Sequence, residues 1–489
     1  MRLLRLTVLV SCFAVFPVLA GCGTDDEAAL PAGAELVPAQ TVLFIALDTD
    51  FDSDQWQTAG DLLDKFPDGD KARSFILGEL SKEGVDLEGD IKPALGPQVN
   101  IAWLDAADED AFVGFTQPSD EAKLRALLEK DGEEIFFRDV EGWTAFATNE
   151  KYLDMLDVAT PDGSLAADSR FVEAMGHVAE DALVRLYFNG PAAETGLSGS
   201  ADVDLGAVAE LLPGGTVPWV SASLSAEDGG GRVDGAVGFA GDPTGFVSPS
   251  YEANLPDVAP AGALAYFSFK DLESQLSTFR DLFAQLEPDV ERDIGRFEAE
   301  VGVSLEEDIG PLLAGEGALY VRQGLFIPEV TLLLEVEDEA NAMAVLDGLV
   351  AGLRDFVPLG EARTIDVEGV EARQVDIEAP LSIFYAAFDG HLVVTSQRAG
   401  IAAIRADGDR LSGDDRFQQA LSDAGMPDET AGFAYVDLKE IIAYALGFAG
   451  AAQDVPDEVG RNLEPLEHLV FFSTREDNVV EFSGFLALD

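Results

Sequence analysis

Two segments of this chain repeat each other: Gly84-Val-Asp-Leu-Glu-Gly-Asp-Ile-Lys-Pro93 and Gly302-Val-Ser-Leu-Glu-Glu-Asp-Ile-Gly-Pro311. Each follows a helical pattern and precedes an apolar strand. A chain carrying such a twin at matched places must fold as two related units. Gly84 and Gly302 suit the position just past a helix end, where a positive φ favours glycine. Ser304 reads as an N-cap and Glu307, three residues on, as its reciprocal partner. Asp86 is the matching cap, and Gly89 removes the reciprocal partner in that copy. Pro93 and Pro311 limit the new helix to a turn or two. The segment therefore predicts a helix-to-strand corner, with Asp90 and Asp308 assigned to capping or solvating a helix end rather than to a paired site.

The flanking order repeats as well. Thr41–Leu47 and Ala263–Phe269 are apolar runs of strand length, each followed by a helical pattern. In the second copy Leu272, Leu276, Phe279, Phe283 and Leu286 mark one helix face, and Val290, Ile294, Phe297 and Val301 another beyond Pro288. Val99–Leu104 with Phe112–Phe115, Trp219–Leu224 with Val233–Phe239, and Leu469–Ser473 with Val479–Leu486 read as hairpin-like strand pairs. Leu165-Ala-Ala-Asp-Ser-Arg-Phe171, with Ala174, is matched by Leu411-Ser-Gly-Asp-Asp-Arg-Phe417, with Ala420. The expectation is an α+β fold of two tandem homologous domains, each a mainly antiparallel sheet with helices packed on it. The boundaries are 1–21 signal peptide, 22–36 flexible tether, 37–240 first repeat, 241–257 linker (Pro, Gly and Ser without periodicity) and 258–489 second repeat.

The N-terminus carries an address. Arg2 and Arg5 precede an apolar stretch, and Leu19-Ala-Gly-Cys22 resembles a bacterial lipobox. That resemblance implies that Cys22 becomes the first mature residue and bears the lipid, so the membrane is a partner through Cys22. Cys12 leaves with the signal, and one cysteine permits no internal disulfide. The tether spans roughly 20 Å as a random coil. The location implied is the extracytoplasmic face of the cell envelope, lipid-anchored.

The Pro-Ala-x-Thr opening at Pro38–Thr41, the corner segments and the Leu-x-x-Asp-x-Arg-Phe-x-x-Ala segments together resemble the bacterial family known as domain of unknown function 3352. The resemblance covers nearly all of the mature chain. It implies an exported, membrane-tethered protein, with no activity, cofactor or site residue attached.

The residues themselves restrict the chemistry. With 92 acidic against 30 basic residues, the formal charge is −62, so nucleic acid and anionic surfaces are repelled and no basic stripe offsets the field. Asp48, Asp50, Asp52 and Asp54 have the alternation of a calcium loop without its glycine and closing glutamate. They are read instead as part of a helix start before Trp56. His177, His391 and His468 stand alone, which leaves no ordinary zinc ligand set, and His391 follows Gly390 at a turn before a strand. Gly229-Gly-Gly231 lacks the Lys-Ser/Thr of a phosphate loop and reads as a hairpin turn. No catalytic, cofactor-binding or metal-binding residue is assigned, and no cofactor is expected. The expected function is a lipid-anchored, non-enzymatic binding or scaffold protein of the envelope. Alternatives are a carrier or sensor of an apolar envelope ligand and an Asp/Glu-dependent hydrolase. Specificity is expected at matched positions where the copies differ, such as Trp143 and His391.

Overall fold

The computed structural model describes residues 29–489, apart from 83, 131, 133, 157–162, 198–215, 287–288, 325–326, 355, 378–380 and 453–455. The stretch read as a signal peptide, Cys22 and the start of the stretch read as a tether lie outside the described residues. The fold is α+β, with antiparallel strands and helices alternating along the chain. It divides into two compact units. Unit one runs through Gly241 and includes Asp457–Pro465 and Asn478–Asp489; unit two is Asp242–Pro456 with Leu466–Asp477.

Unit one contains β1 (Leu43–Asp48), β2 (Gln98–Trp103), β3 (Phe112–Thr116), β4 (Phe136–Val140), β5 (Trp143–Ala147), β6 (Val184–Asn189), β7 (Trp219–Glu227) and β8 (Gly230–Gly238). Antiparallel pairing gives the order β4-β5-β3-β2-β1-β6-β7-β8. The alternation of β1 puts Phe44 on one face, where its ring meets Phe171 edge-on at 5.8 Å. Phe171 in turn meets Tyr187 at 5.0 Å. Leu165, Phe171 and Ala174 are completely buried, so the repeated Leu-x-x-Asp-x-Arg-Phe-x-x-Ala segment is a plug for this core. Its Asp168 caps the helix Ser169–Met175 by accepting from the Arg170 N–H, and pairs with the Arg170 guanidinium. Burial would raise the Asp168 carboxyl, but the bonds from Arg170 outweigh it and hold the group low.

Residues 29–36, the end of the stretch that composition reads as tether, are packed. Ala34 and Leu36 are buried, and the Asn100 side-chain amide donates to the Ala32 carbonyl. The Pro38–Thr41 opening is tied to the plug, since Leu165 N–H donates to the Val37 carbonyl.

Unit two contains β9 (Ala263–Lys270), β10 (Glu316–Arg322), β11 (Glu329–Glu335), β12 (Arg363–Val367), β13 (Val370–Asp376), β14 (Ser382–Phe388), β15 (His391–Thr395), β16 (Gly432–Asp437) and β17 (Leu466–Glu476). Its order is β12-β13-β14-β15-β11-β10-β9-β16-β17. Tyr266 and Phe417 meet at 6.0 Å and Phe417 and Tyr435 at 5.1 Å, in the places of Phe44, Phe171 and Tyr187. Asp414 caps the helix Asp415–Asp423 as Asp168 does its counterpart, and Leu411 N–H donates to the Ala259 carbonyl.

Of the stretch 241–257, read from composition as linker, residues 242–257 are folded onto unit two. The Arg475 guanidinium donates to Thr244 Oγ1 and the Val247 carbonyl, and Tyr251–Glu252 pairs with Glu429–Thr430. The buried Glu316 carboxylate accepts from the backbone N–H groups of Asn254 and Leu255 at 2.9–3.0 Å. Side chains, not hydrophobic periodicity, fix this segment, which is why its pattern gave no sign of structure. The last strand, β18 (Val479–Leu488), belongs to unit one and pairs antiparallel with β8.

Candidate functional site

The twin corners are structural devices. Gly84 and Gly302 have φ of 72° and 78°, as expected from the helix ends they follow. Leu87–Ile91 and Leu305–Ile309 then form single wide turns with i→i+5 bonds, Ile91 N–H to the Asp86 carbonyl and Ile309 N–H to the Ser304 carbonyl. Asp86 Oδ1 accepts from Gly89 N–H and Ser304 Oγ from Glu307 N–H. The reciprocal partner is Asp308, whose Oδ2 accepts from Ser304 N–H at 2.7 Å; it is not Glu307. Asp90 does the same for Asp86 N–H at 2.9 Å, so the first copy has its reciprocal bond after all. The wide turn carries the fourth residue, not the third, back over the cap. That bond holds the Asp90 carboxyl below its ordinary range.

The acidic run after β1 also closes on itself. Asp48 Oδ1 accepts from Asp50 N–H, Asp48 Oδ2 from Ser53 Oγ–H, and Asp50 Oδ1 from Asp52 N–H. The cap of helix Asp54–Asp64 is Ser53, whose Oγ accepts from Trp56 N–H. Among the described residues, no three His, Cys, Asp or Glu gather as a metal site. Asp48 borders a cleft of about 310 Å³ in unit one, together with Gln98, Glu180, Asp181 and Arg185. Burial raises the Asp48 carboxyl, against the bond from Ser53. Arg185 donates to the Ala29 carbonyl, and Glu180 accepts from Ala29 N–H. Most polar atoms of the cleft are thus spent on holding the chain.

The histidines do not converge. His177 stacks on Trp219 with centroids 5.5 Å apart and meets Glu481 at 2.7 Å. His391 opens β15 behind the Asp389-Gly390 turn, where both residues have positive φ, and is half-buried. His468 lies on β17, 3.5 Å from Asp423, and burial lowers its pKa. Trp143 is a core residue, 6% exposed and edge-on to Phe115 at 5.6 Å, so it is unsuited to specificity. The buried carboxylates among the described residues are Asp234, Glu316, Glu329 and Asp437. Glu329 takes Arg322 at 2.9 Å and Asp437 takes Arg416 at 3.2 Å. Asp234 alone accepts no side-chain bond among them.

A feature that sequence reading missed is a row of apolar residues on the face opposite the plug. In unit two Phe471, Ala434, Phe267, Leu319, Leu332 and Val394 stand in register across β17, β16, β9, β10, β11 and β15. In unit one the same places hold Ala222, Leu186, Ile45, Ile101, Gly114 and Phe146. Helices cover one end of the unit-two row at Leu332 and Val394. Ala434 and Phe471 are half-buried, and the open part is Phe267, 47% exposed, and Leu319, 42% exposed, with Val330 on the same face of β11 also 42% exposed. The unbroken apolar runs of β9 to β11 were the available signal, since a strand covered on one face alternates with polar residues.

Residues 121–488 match the sequence profile of the family described as "Protein of unknown function (DUF3352)". The chain belongs to this family. No curated protein matches it. Among solved structures, crystal form IV of TP0453 is similar at 10% identity and a TM-score of 0.24, covering 48% of this chain and 81% of that one. Crystal form I of TP0453 gives 12% and 0.24, covering 48% and 79%. At these scores the likeness carries no argument. No helix of the described residues is long and apolar enough to cross a membrane.

Proposed function

We propose that this DUF3352 member is an exported protein, anchored by lipid at Cys22, that works by binding rather than by catalysis. The observation that carries the binding half is the open apolar face of Phe267, Leu319 and Val330. Large exposed apolar groups on neighbouring strands of one sheet face mark interaction surfaces, whereas scattered ones do not. The motifs common to the two copies support the same reading, because Asp90, Asp308, Asp168, Asp414, Phe171 and Phe417 are consumed in caps and core. The tandem-duplication reading is supported by the pairing orders, which coincide from β5 to β7 and from β15 to β17, with an added hairpin β12–β13 in unit two. Carriage of an apolar ligand is a second reading, favoured by a crevice in unit two described below.

The anchor is tested by palmitate labelling and fractionation of the full chain. Wild type should label and sediment with membranes, whereas Cys22→Ala should neither label nor be processed; equal labelling of both contradicts the anchor. The binding half is tested by assaying the same protein against glycan, peptide, ester and phosphate substrates. Turnover abolished by changing one Asp or Glu would contradict it.

A further inference from the structure

The two corners, alike in backbone, differ at the residue before the proline, and in unit two that residue borders a crevice. In unit one that residue is Lys92, whose ammonium group reaches Asp52 at 3.1 Å and Glu88 at 3.0 Å. In unit two it is Gly310, where even a Cβ would stand 3.3 Å from Glu273. Gly310 lines a crevice of about 200 Å³ between the helices Leu272–Leu286 and Asp289–Val301 and the corner. Leu276, Ile294 and Leu305 supply its apolar wall. Its rim is charged: Arg280 meets Glu306 at 3.2 Å and Glu291 at 3.6 Å, and Glu273 is a further carboxylate. Two lining carboxylates, Glu273 and Glu306, against one guanidinium leave the rim net negative, as is the whole chain at −62.

We propose that this crevice binds a cationic amphiphile, with an alkyl tail against Leu276, Ile294 and Leu305 and an ammonium head between Glu273 and Glu306. The proposal rests on the carrier reading and adds the charge of the ligand. The tail gains by leaving water, and the head complements a rim whose one cation is already shared by two carboxylates. A fatty acid offers the same tail but places a carboxylate against that field. A second copy of this chain would bring the same negative charge.

The test uses the full chain in phosphatidylcholine nanodiscs with ten-carbon probes bearing a diazirine in the tail. One probe is an alkylammonium, one a fatty acid and one an alkanol. After illumination, adducts are mapped by mass spectrometry. The alkylammonium should label Leu276, Ile294 or Leu305 roughly fivefold more than the fatty acid, because the excess surface charge attracts the ammonium and repels the carboxylate. Gly310→Lys, which restores the residue of unit one, should remove the labelling. Glu273→Gln with Glu306→Gln, both on the surface, should reduce labelling by the ammonium probe and leave the alkanol unchanged, which keeps the test valid if Gly310→Lys unfolds. Equal labelling by ammonium and alkanol overturns the charge assignment alone. Absence of labelling by every probe overturns the carrier reading with it.

Discussion

Asp234 gives the sharpest prediction about how this acidic chain is held together. It lies on β8 between Ser223 of β7 and Ser483 of β18, and is 8% exposed. Arg232, the cation that acts on it, pairs with Glu227 at 2.5 Å and donates to Ser483 Oγ at 3.3 Å. Burial therefore dominates, Arg232 opposes it only in part, and the carboxyl is pushed up to about 7 from 3.8. The folded state thus binds a proton that the unfolded chain releases near pH 4. Stability from this group is complete below pH 3.8 and is lost as pH rises to about 7. A shift of about three units corresponds to roughly 4 kcal/mol as an upper bound. Asp234→Asn keeps the shape and removes the charge, so it should stabilise unit one by about 2–4 kcal/mol at pH 8 and by much less at pH 5. Trp56, Trp103, Trp143 and Trp219 are all in unit one, so tryptophan fluorescence during urea unfolding reports that unit. The difference between variant and wild type should grow from pH 5 to 7 and then level. A variant no more stable than wild type at pH 8, or a difference independent of pH, refutes the reasoning.

Phe417→Ala should cost unit two about 3–5 kcal/mol, and Phe171→Ala a similar amount in unit one, because each empties the same core position; thermal unfolding measures both. Glu316→Ala leaves the N–H groups of Asn254 and Leu255 without their acceptor, at a cost of at least about 2 kcal/mol, and limited proteolysis should rise within residues 248–257. His468 has its pKa lowered by burial, so its contribution is present above pH 6.5 and lost as pH falls. His468→Gln should therefore flatten the acid side of the unit-two unfolding curve.

Much of this fold could be read from periodicity and punctuation. The strand at 43–48, the helices of 272–301 and the turn before His391 all follow from local patterns that tertiary packing respects. Missing from that reading were β12 and β13, whose alternation of Arg363-Thr-Ile-Asp-Val367 carries few large apolar residues, and β4, a short half-buried strand. The usual spacing of three points to Glu307 as the reciprocal cap, and the i→i+5 turn places Asp308 there instead. Least visible was the open face. Phe267 and Leu319 look like core residues in one dimension, and only their register on neighbouring strands shows them to be uncovered.

The binding claim is tested most directly at that face. A photo-crosslinking amino acid at Leu319 of the full chain, activated in living cells, should give a discrete adduct in the membrane fraction, while the same probe at exposed Glu371 of β13 should give none. An adduct-free Leu319 probe beside correctly anchored protein would contradict the account.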